Sequence, residues 1–414
     1  AIDEIKGDLT TPGYSNPLTV DFLKANPYLV LDTRHFGEDF KRRLLASFED
    51  LDEQCDGLLI HSENFQALNL LTVKHDRRIN GIYIDPPYNS PSSEIIYKND
   101  YKHSTWASLM YDRLRLSKLL QTEDAGIAVA IDDHELERLR CVMSMVFNGS
   151  VETVVVRSNP AGRSTPKGFS LNHEYTIFAW KSPDAATIGK LPYSEKQAQR
   201  YKEIDEIGPY EWVNFRKHGG LREESPQMYY PIFIDTANRT WRIPRMEWNE
   251  KTNEWSILEQ PKKDEIVLWP NDNQGQARRW KWSVDRLRQA IGEVKVDRDK
   301  DGNYALYIKA RKPAEGVTPP TWWDKREYSA TDWGTRILKN LFGMFGGFDY
   351  PKAIELVVDC VRIISTKPND WILDFFAGSG TTGHAVINLN REDGGRRKFI
   401  LVEMGDYADT ITAE

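Results

Sequence analysis

Cysteine is scarce: Cys55, Cys141 and Cys360 are the only three in 414 residues, far apart and in no ligand-type spacing. That argues against a disulfide framework or a zinc site and for a reducing compartment, here the cytoplasm. The eight histidines are equally scattered, with His61, His75, His134, His173 and His218 in no ligand pattern, so no metal is expected. Nor does any serine or cysteine stand in a recognisable nucleophilic triad. No apolar run approaches the ~18 residues that a membrane helix needs, and the charged opening from Ala1 to Asp8 is unlike a signal peptide. No glycine-rich stretch ends in Gly-Lys-Ser/Thr, which excludes the phosphate loop of an ATP motor. The initiator Met is also absent, which reads as a processed or trimmed chain.

What is present is a soluble globular composition, 40% hydrophobic and 28% charged, in a chain long enough for two or three domains. The net charge of -7 is unevenly spread: residues 157–330 carry +5 and the remainder -12. The same segment holds ten of the thirteen tryptophans, interleaved with Arg239, Arg242, Arg245, Arg278 and Arg279. Alternating cations and rings suit a surface that meets phosphates and stacks on bases. The competing explanation is a β-rich insert whose tryptophans form its own core.

Along the chain, residues 1–50 read as a helical lead-in broken by Pro12, Pro17 and Pro27. Residues 51–182 then alternate apolar strands (81–84, 126–131, 151–156, 175–180) with helical periodicity (106–120, 136–147), the rhythm of a doubly wound sheet. The tryptophan-rich stretch 183–330 interrupts that rhythm, and 331–414 resumes it with helices over 336–342 and 352–365 and strands at 371–375 and 398–403.

Two strand ends carry the chemistry. The run Gly81-Ile82-Tyr83-Ile84 leads into Asp85-Pro86-Pro87-Tyr88, where two prolines fix φ and remove two N–H donors, leaving an acceptor-rich turn. An exocyclic amino group fits such a turn: the Asp85 carboxylate and the Pro86 carbonyl accept its two N–H bonds, and Tyr88 offers a ring face for a base. The second is Asp374-Phe375-Phe376-Ala377-Gly378-Ser379-Gly380-Thr381, a strand–glycine turn–helix of the kind that receives a nucleotide-like cofactor. Glu403 closes the next strand, 23 residues beyond Gly380, near the offset at which an acidic residue meets ribose hydroxyls.

With these motifs the sequence resembles the amino-group DNA methyltransferases that use S-adenosylmethionine. Asp85 to Tyr88 looks like their catalytic motif and Asp374 to Gly380 like their cofactor motif. The catalytic motif comes first by 289 residues, as in the permuted β group, whose target-recognition insert lies between the two. The resemblance implies a Rossmann-like α/β fold with a β-rich target-recognition insert at 183–330. It implies S-adenosylmethionine as cofactor, held by Asp374, Phe376, Gly378, Ser379, Gly380, Thr381 and Glu403, with the segment Phe348-Asp349-Tyr350-Pro351-Lys352 lining its methionine end. Residues 106–120, 126–133 and Asn172 to Tyr175 resemble sheet-building and base-pocket segments. At 62–64 the chain has Ser-Glu-Asn where the family has Gly-Asp-Asn, and it ends at Glu414 where members continue, which again reads as a trimmed chain.

The similar subgroup is the modification subunits of type III restriction systems. An Asp-initiated motif in this family implies adenine N6 as target, methylated after base flipping. Partners implied are double-stranded DNA, with room for a homodimer and for a separate motor-nuclease restriction subunit. Alternatives are an RNA amino-methyltransferase, a catalytically silent DNA-recognition subunit, and a nicotinamide oxidoreductase suggested by the glycine turn alone. The basic insert argues against the first and the paired motifs against the second. The third leaves Asp85 to Tyr88 unexplained.

Overall fold

The computed structural model describes residues 19–25, 33–90, 102–149, 151–162, 168–343 and 348–413. Half of the expected lead-in over 1–50 lies outside these; its described part includes α-helices at Val20–Ala25 and Glu38–Ala46. The chain divides into a unit of 1–191 with 318–414 and a second of 192–317.

The first unit is built on an eight-stranded sheet whose strands, in chain order, are β1 (Gly57–His61), β2 (Ile79–Ile84), β3 (Gln121–Ile131), β4 (Val151–Val156), β5 (Glu174–Trp180), β6 (Trp322–Trp323), β7 (Trp371–Asp374) and β8 (Lys398–Glu403). Their spatial order is β1-β8-β7-β2-β3-β5-β4-β6. Only β5 runs against the others. The central strands are continuous apolar runs because both faces are covered, as parallel sheets require: Ile82, Ile84, Ile127, Val129 and Leu373 are fully buried.

Helices α1 (Asn64–Lys74), α2 (Lys102–Leu120) and α3 (Leu136–Val146) set Leu68, Leu71, Trp106, Met110, Leu114, Leu139 and Met143 into one core with those strands. Each such side chain contributes about 1.5–3 kcal/mol of burial. Helix α4 (Ile354–Ile364), nine of its eleven residues buried, packs against β2, β3 and α5 (Thr381–Asp393).

This order fixes where a ligand is received. From β2 the chain proceeds to β3 on one side, and from β7 to β8 on the other, so the neighbouring pair β7 and β2 forms the point at which the winding reverses. In open α/β sheets the crevice beyond the carboxyl ends of such a pair is the binding site. Asp374 ends β7 and Asp85 directly follows β2.

The boundaries of the insert differ from the expected 183–330. Leu191 is buried, Gly189 N–H donates to Ile363 O, and Trp322–Trp323 pairs in parallel with Val155 and Val156, so both flanks belong to the sheet unit. Tyr328, its ring tilted 30° against Trp323, donates to the buried Asp359 carboxylate at 2.6 Å, and Lys325 pairs with the same group, anchoring the chain where it re-enters the sheet. Residues 192–317 form antiparallel sheets, the largest ordered Val294–Arg298, Tyr304–Arg311, Gly208–Asn214 and Glu203–Asp205. Their core gathers Phe215, Tyr230, Ile232, Ile234, Trp280, Leu287, Leu306 and Ile308. Of the insert's tryptophans only Trp280 is fully in that core, while Trp241, Trp255 and Trp282 pack at its margin.

Candidate active site

The turn after β2 is held from two sides. Trp106 of α2, itself fully buried, donates its indole N–H to Pro87 O at 2.8 Å. Asn89, left-handed at φ 57°, donates its amide to Glu135 Oε1 at 2.6 Å. The fully buried Glu135 also meets His103 Nδ1 at 2.5 Å, so one carboxylate ties the exit of the turn to the start of α2. Nothing in the sequence singled out Glu135, because its partners lie 32 and 46 positions away.

Asp85 sits part-buried beside Lys352, whose ammonium lies 3.4 Å from its carboxylate. Lys352 also pairs with Glu174 at 2.7 Å and donates to the Tyr88 hydroxyl, and Tyr88 in turn donates to Glu174 at 3.1 Å. The Lys352 ammonium lies 4.7 Å above the Tyr88 ring. Lys352, expected with Phe348 and Tyr350 at the cofactor, is therefore placed among the catalytic-motif side chains. Glu174, at the start of the one reversed strand, completes the group, and only the resemblance of 172–175 to a base-pocket segment hinted at it.

Burial raises the Asp85 carboxyl above the ordinary range; Lys352 opposes that rise and Glu174 adds to it. Burial alone would pull the Lys352 ammonium down, but the Asp85 and Glu174 carboxylates outweigh it and hold it above the usual lysine value. The Tyr88 hydroxyl is pushed far up by burial and then by the same two carboxylates, so it stays a neutral donor.

At the neighbouring strand end, Gly378 and Gly380 adopt left-handed backbone, φ 54° and 80°, which glycine reaches without strain. A Cβ at Gly378 would come 3.1 Å from the Phe348 ring, so bare backbone faces that ring. Glu403 fastens the loop: its carboxylate accepts from Gly378 N–H at 2.7 Å and from Met404 and Gly405 N–H at 2.9 Å. Asp374 accepts from Phe376 N–H and from the Thr382 hydroxyl, and Ser379 and Thr381 share a hydroxyl contact of 3.2 Å at the start of α5. Tyr350, at φ 62°, is largely exposed. The divergent segment 62–64 reaches the same loop, since buried Asn64 donates to Phe375 O at 3.2 Å and Arg113 links Asn64 to Glu63. The two strand ends thus bring four carboxylates near one another, Asp85 and Glu174 on Lys352 and Asp374 and Glu403 at the glycine loop, an excess of acidic groups over the one lysine.

Burial pushes Asp374 up to about 7, against its hydrogen bonds from Thr382 and Phe376, with Asp85 and Glu403 adding to the rise. A carboxyl raised by folding favours its protonated form in the fold. Its contribution to stability is therefore full below the ordinary carboxylate range and is lost as pH climbs through about 7. Asp374→Asn, which keeps the acceptor for Phe376 N–H, is expected to flatten that part of the melting temperature–pH curve of the protein without added ligand. Thermal melts across a buffer series read the slope, and an unchanged slope would refute the assignment.

Of the five arginines expected at DNA, Arg242 is locked between Glu259 and Glu265, Arg278 is paired with Asp272 at 2.8 Å and Arg279 with Glu224 at 3.3 Å. Arg239 and Arg245 are mostly exposed, in loose pairs of 3.8 Å. No group of three or more metal-ligating side chains occurs among the described residues, and no described helix is long and apolar enough to cross a membrane.

The type III restriction-modification enzyme EcoPI Mod subunit of Escherichia phage P1 is 30% identical over 394 residues, 86% of this chain and 58% of that protein. The chain thus spans little more than half the length of that relative. The type II methyltransferase M.KpnI of Klebsiella pneumoniae is 30% identical over 380 residues, covering 88% of this chain and 84% of that one. Among solved structures, the M1.HpyAVI–SAM complex aligns over 84% of this chain and 94% of its own, at 12% identity and a TM-score of 0.39. Residues 79–414, which contain both strand-end motifs and all of the second unit, match the family model described as DNA methylase, and the chain belongs to that family.

Proposed function

We propose that the chain transfers a methyl group from S-adenosylmethionine to adenine N6 in double-stranded DNA, as the modifying component of a restriction–modification system. The observation that carries this is the placement of Asp85 and the Gly378 loop at the ends of adjacent parallel strands, at the point where the sheet winding reverses. Bound at that loop, the cofactor would supply a sulfonium-activated methyl group. The bare backbone at Gly378 against Phe348 and the acidic crevice fit such a cation. Phe376, Ser379 and Thr381 line its approach in this reading, with Phe348 and Tyr350 at its methionine end. Glu403 would receive the ribose: a carboxylate offers about four lone-pair sites, three already take backbone N–H groups, so a diol displaces at least one.

For the substrate, the Asp85 carboxylate and the Pro86 carbonyl accept the two amino protons and turn the nitrogen lone pair toward the methyl carbon, while Tyr88 stacks on the base. The amino nitrogen would attack the methyl carbon, the S–C electron pair would stay on sulfur as a neutral thioether leaves, and the amino group would then release its proton to water. Alignment supplies the rate, since the methyl is already activated. The target amino group is out of reach inside a duplex, so the base must be flipped at a cost of a few kcal/mol. Adenine is assigned because the motif opens with Asp85.

The unit 192–317 is the target-recognition part of this reading, with Arg239 and Arg245 the two of the five arginines that keep most of their surface in solvent. The name of the EcoPI relative, a Mod subunit of a type III enzyme, supports a separate restriction subunit as partner. A homodimer and a cytoplasmic location accompany the same reading, and light scattering of the purified chain reads the former.

Incubation with S-adenosylmethionine and unmethylated duplex DNA, digestion to nucleosides and mass spectrometry tests the reaction. N6-methyladenine is the expected product. N4-methylcytosine overturns the base, and no methylated base despite cofactor and DNA binding overturns the activity in favour of a silent recognition subunit.

A further inference from the structure

Within the second unit the cations are not equally available. Two stretches of the sequence are free of Asp and Glu, 212–222 and 273–284, and between them they carry Arg216, Lys217, His218, Arg222, Arg278, Arg279, Lys281 and no carboxylate. Sixty residues apart in the chain, they pair antiparallel as one two-stranded ribbon, Arg216–Leu221 with Arg278–Trp280. One face of the ribbon is fixed to the core: Trp280 stacks on Phe215 at 5.0 Å and donates to Tyr230 O at 2.7 Å. Its register breaks once. Arg279 pairs with Lys217 and the next residue back, Arg278, with Leu221, so His218-Gly219-Gly220 bulge out opposite a single step. Gly219 takes φ 75°, and Gly220 lies so close to the Arg279 side chain that a Cβ would meet it at 2.8 Å.

Ion pairing separates the ribbon's cations into two sets. Arg278 and Arg279 are paired with Asp272 and Glu224, and Arg222 with Glu254, so they hold the fold. Lys217 and Lys281, both exposed, make no ion pair among the described residues. Arg216 donates to the Asn271 carbonyl, which leaves its charge uncompensated, and exposed Arg286 lies over the Trp282 ring at 4.6 Å. Burial of part of the Lys281 side chain lowers its pKa from the lysine norm, and the Glu211 carboxylate, which opposes that shift, does not outweigh it. Three other insert lysines differ: Lys251, Lys263 and Lys300 each stand beside a carboxylate in the chain, Glu250, Asp264 and Asp299 or Asp301, and Lys312 lies over the Tyr193 ring at 4.7 Å.

We infer that this bulged ribbon is the insert's docking element for the DNA backbone, with Lys217 and Lys281 taking phosphates and Arg216, His218 and Arg286 flanking them. The inference rests on the proposed action on duplex DNA. Charge complementarity commits the occupant: a two-stranded ribbon matches the width of the major groove, and strands that carry cations and no carboxylate of their own meet phosphates on entry. Gly219, exposed and with open space where a Cβ would stand, lets the backbone approach the duplex closely.

The test is binding of a fluorescein-labelled duplex by the full chain, followed by anisotropy over a salt series, for the wild type, Lys217→Ala, Lys281→Met and the double variant. Lys281→Met keeps the aliphatic stem, and cofactor affinity by calorimetry serves as the check of folding. Each phosphate contact contributes about 0.9 to the slope of log K against log salt. The double variant is therefore expected to lose a slope of about 2 and to bind roughly tenfold or more weakly at moderate salt. Lys263→Ala, which removes an equal charge outside the ribbon, is expected to leave the slope unchanged. A wild type that methylates duplex DNA while the double variant keeps its slope overturns this inference alone. A wild type that neither binds duplex nor yields a methylated base overturns the functional reading and this one with it.

Discussion

Asp85→Ala is expected to reduce methyl transfer by a factor on the order of 10³, the scale at which loss of one preorganised polar group at a reacting centre is felt, while S-adenosylmethionine affinity changes little. Asp85 belongs to the turn after β2, whereas the glycine loop belongs to β7, so cofactor binding and amino-group alignment are carried by different strand ends. Asp85→Asn retains one acceptor but turns a donor toward a donor, so an intermediate loss is expected. The loss is not one of folding. Burial holds the Asp85 carboxyl above its ordinary range, so its ionised form opposes the fold at neutral pH. The melting temperature of Asp85→Ala is therefore expected to equal or exceed that of the wild type. Single-turnover rates and calorimetric cofactor titration, measured side by side, decide it. Equal losses in both would place Asp85 at the cofactor instead.

Both strand-end motifs could be read from the sequence because each lies at the end of an apolar run short enough to be a buried strand and long enough to be recognised as one. What joins them is tertiary. Glu174 and Glu135 reach Tyr88 and Asn89 across 86 and 46 positions, and no local pattern encodes such a meeting. The family resemblance of the segment Phe348 to Lys352 groups Lys352 with Phe348 and Tyr350 at the cofactor. The left-handed backbone at Tyr350 lies between them, and Phe348 packs against the glycine loop while Lys352 reaches Asp85. At its C-terminal end the second unit stops short of the expected 330 because tryptophan content continues past it: Trp322 and Trp323 form a two-residue strand of the first unit, too short for any periodicity to reveal. Counting arginines located a basic region but not its available charges. Arg242, with its charge shared between Glu259 and Glu265, looks in the sequence no different from Lys217, which has no such partner among the described residues.

Lys352→Met is the second change with a large expected effect, and pH separates its causes. The ammonium touches Tyr88 and Glu174 and stands 3.4 Å from Asp85, where it opposes the burial that pushes the Asp85 carboxyl up. Without it, two part-buried carboxylates face one another uncompensated, and the Asp85 carboxyl rises further. Each unit of rise is about 1.4 kcal/mol. An amino group needs the ionised carboxylate as acceptor, so the acid limb of the kcat–pH profile is expected to move to higher pH. The deficit should be about 10–100-fold near neutrality, shrinking as pH rises, with the KM for S-adenosylmethionine little altered. Lys352→Arg keeps the charge and should restore the limb even where its longer fork lowers the plateau. Glu174→Gln added to Lys352→Met removes the second carboxylate, so the acid limb should return part of the way and the melting temperature should recover. A uniform loss at every pH, with the cofactor KM raised, would instead place Lys352 at the methionine end of the cofactor, where the family resemblance of its segment puts it.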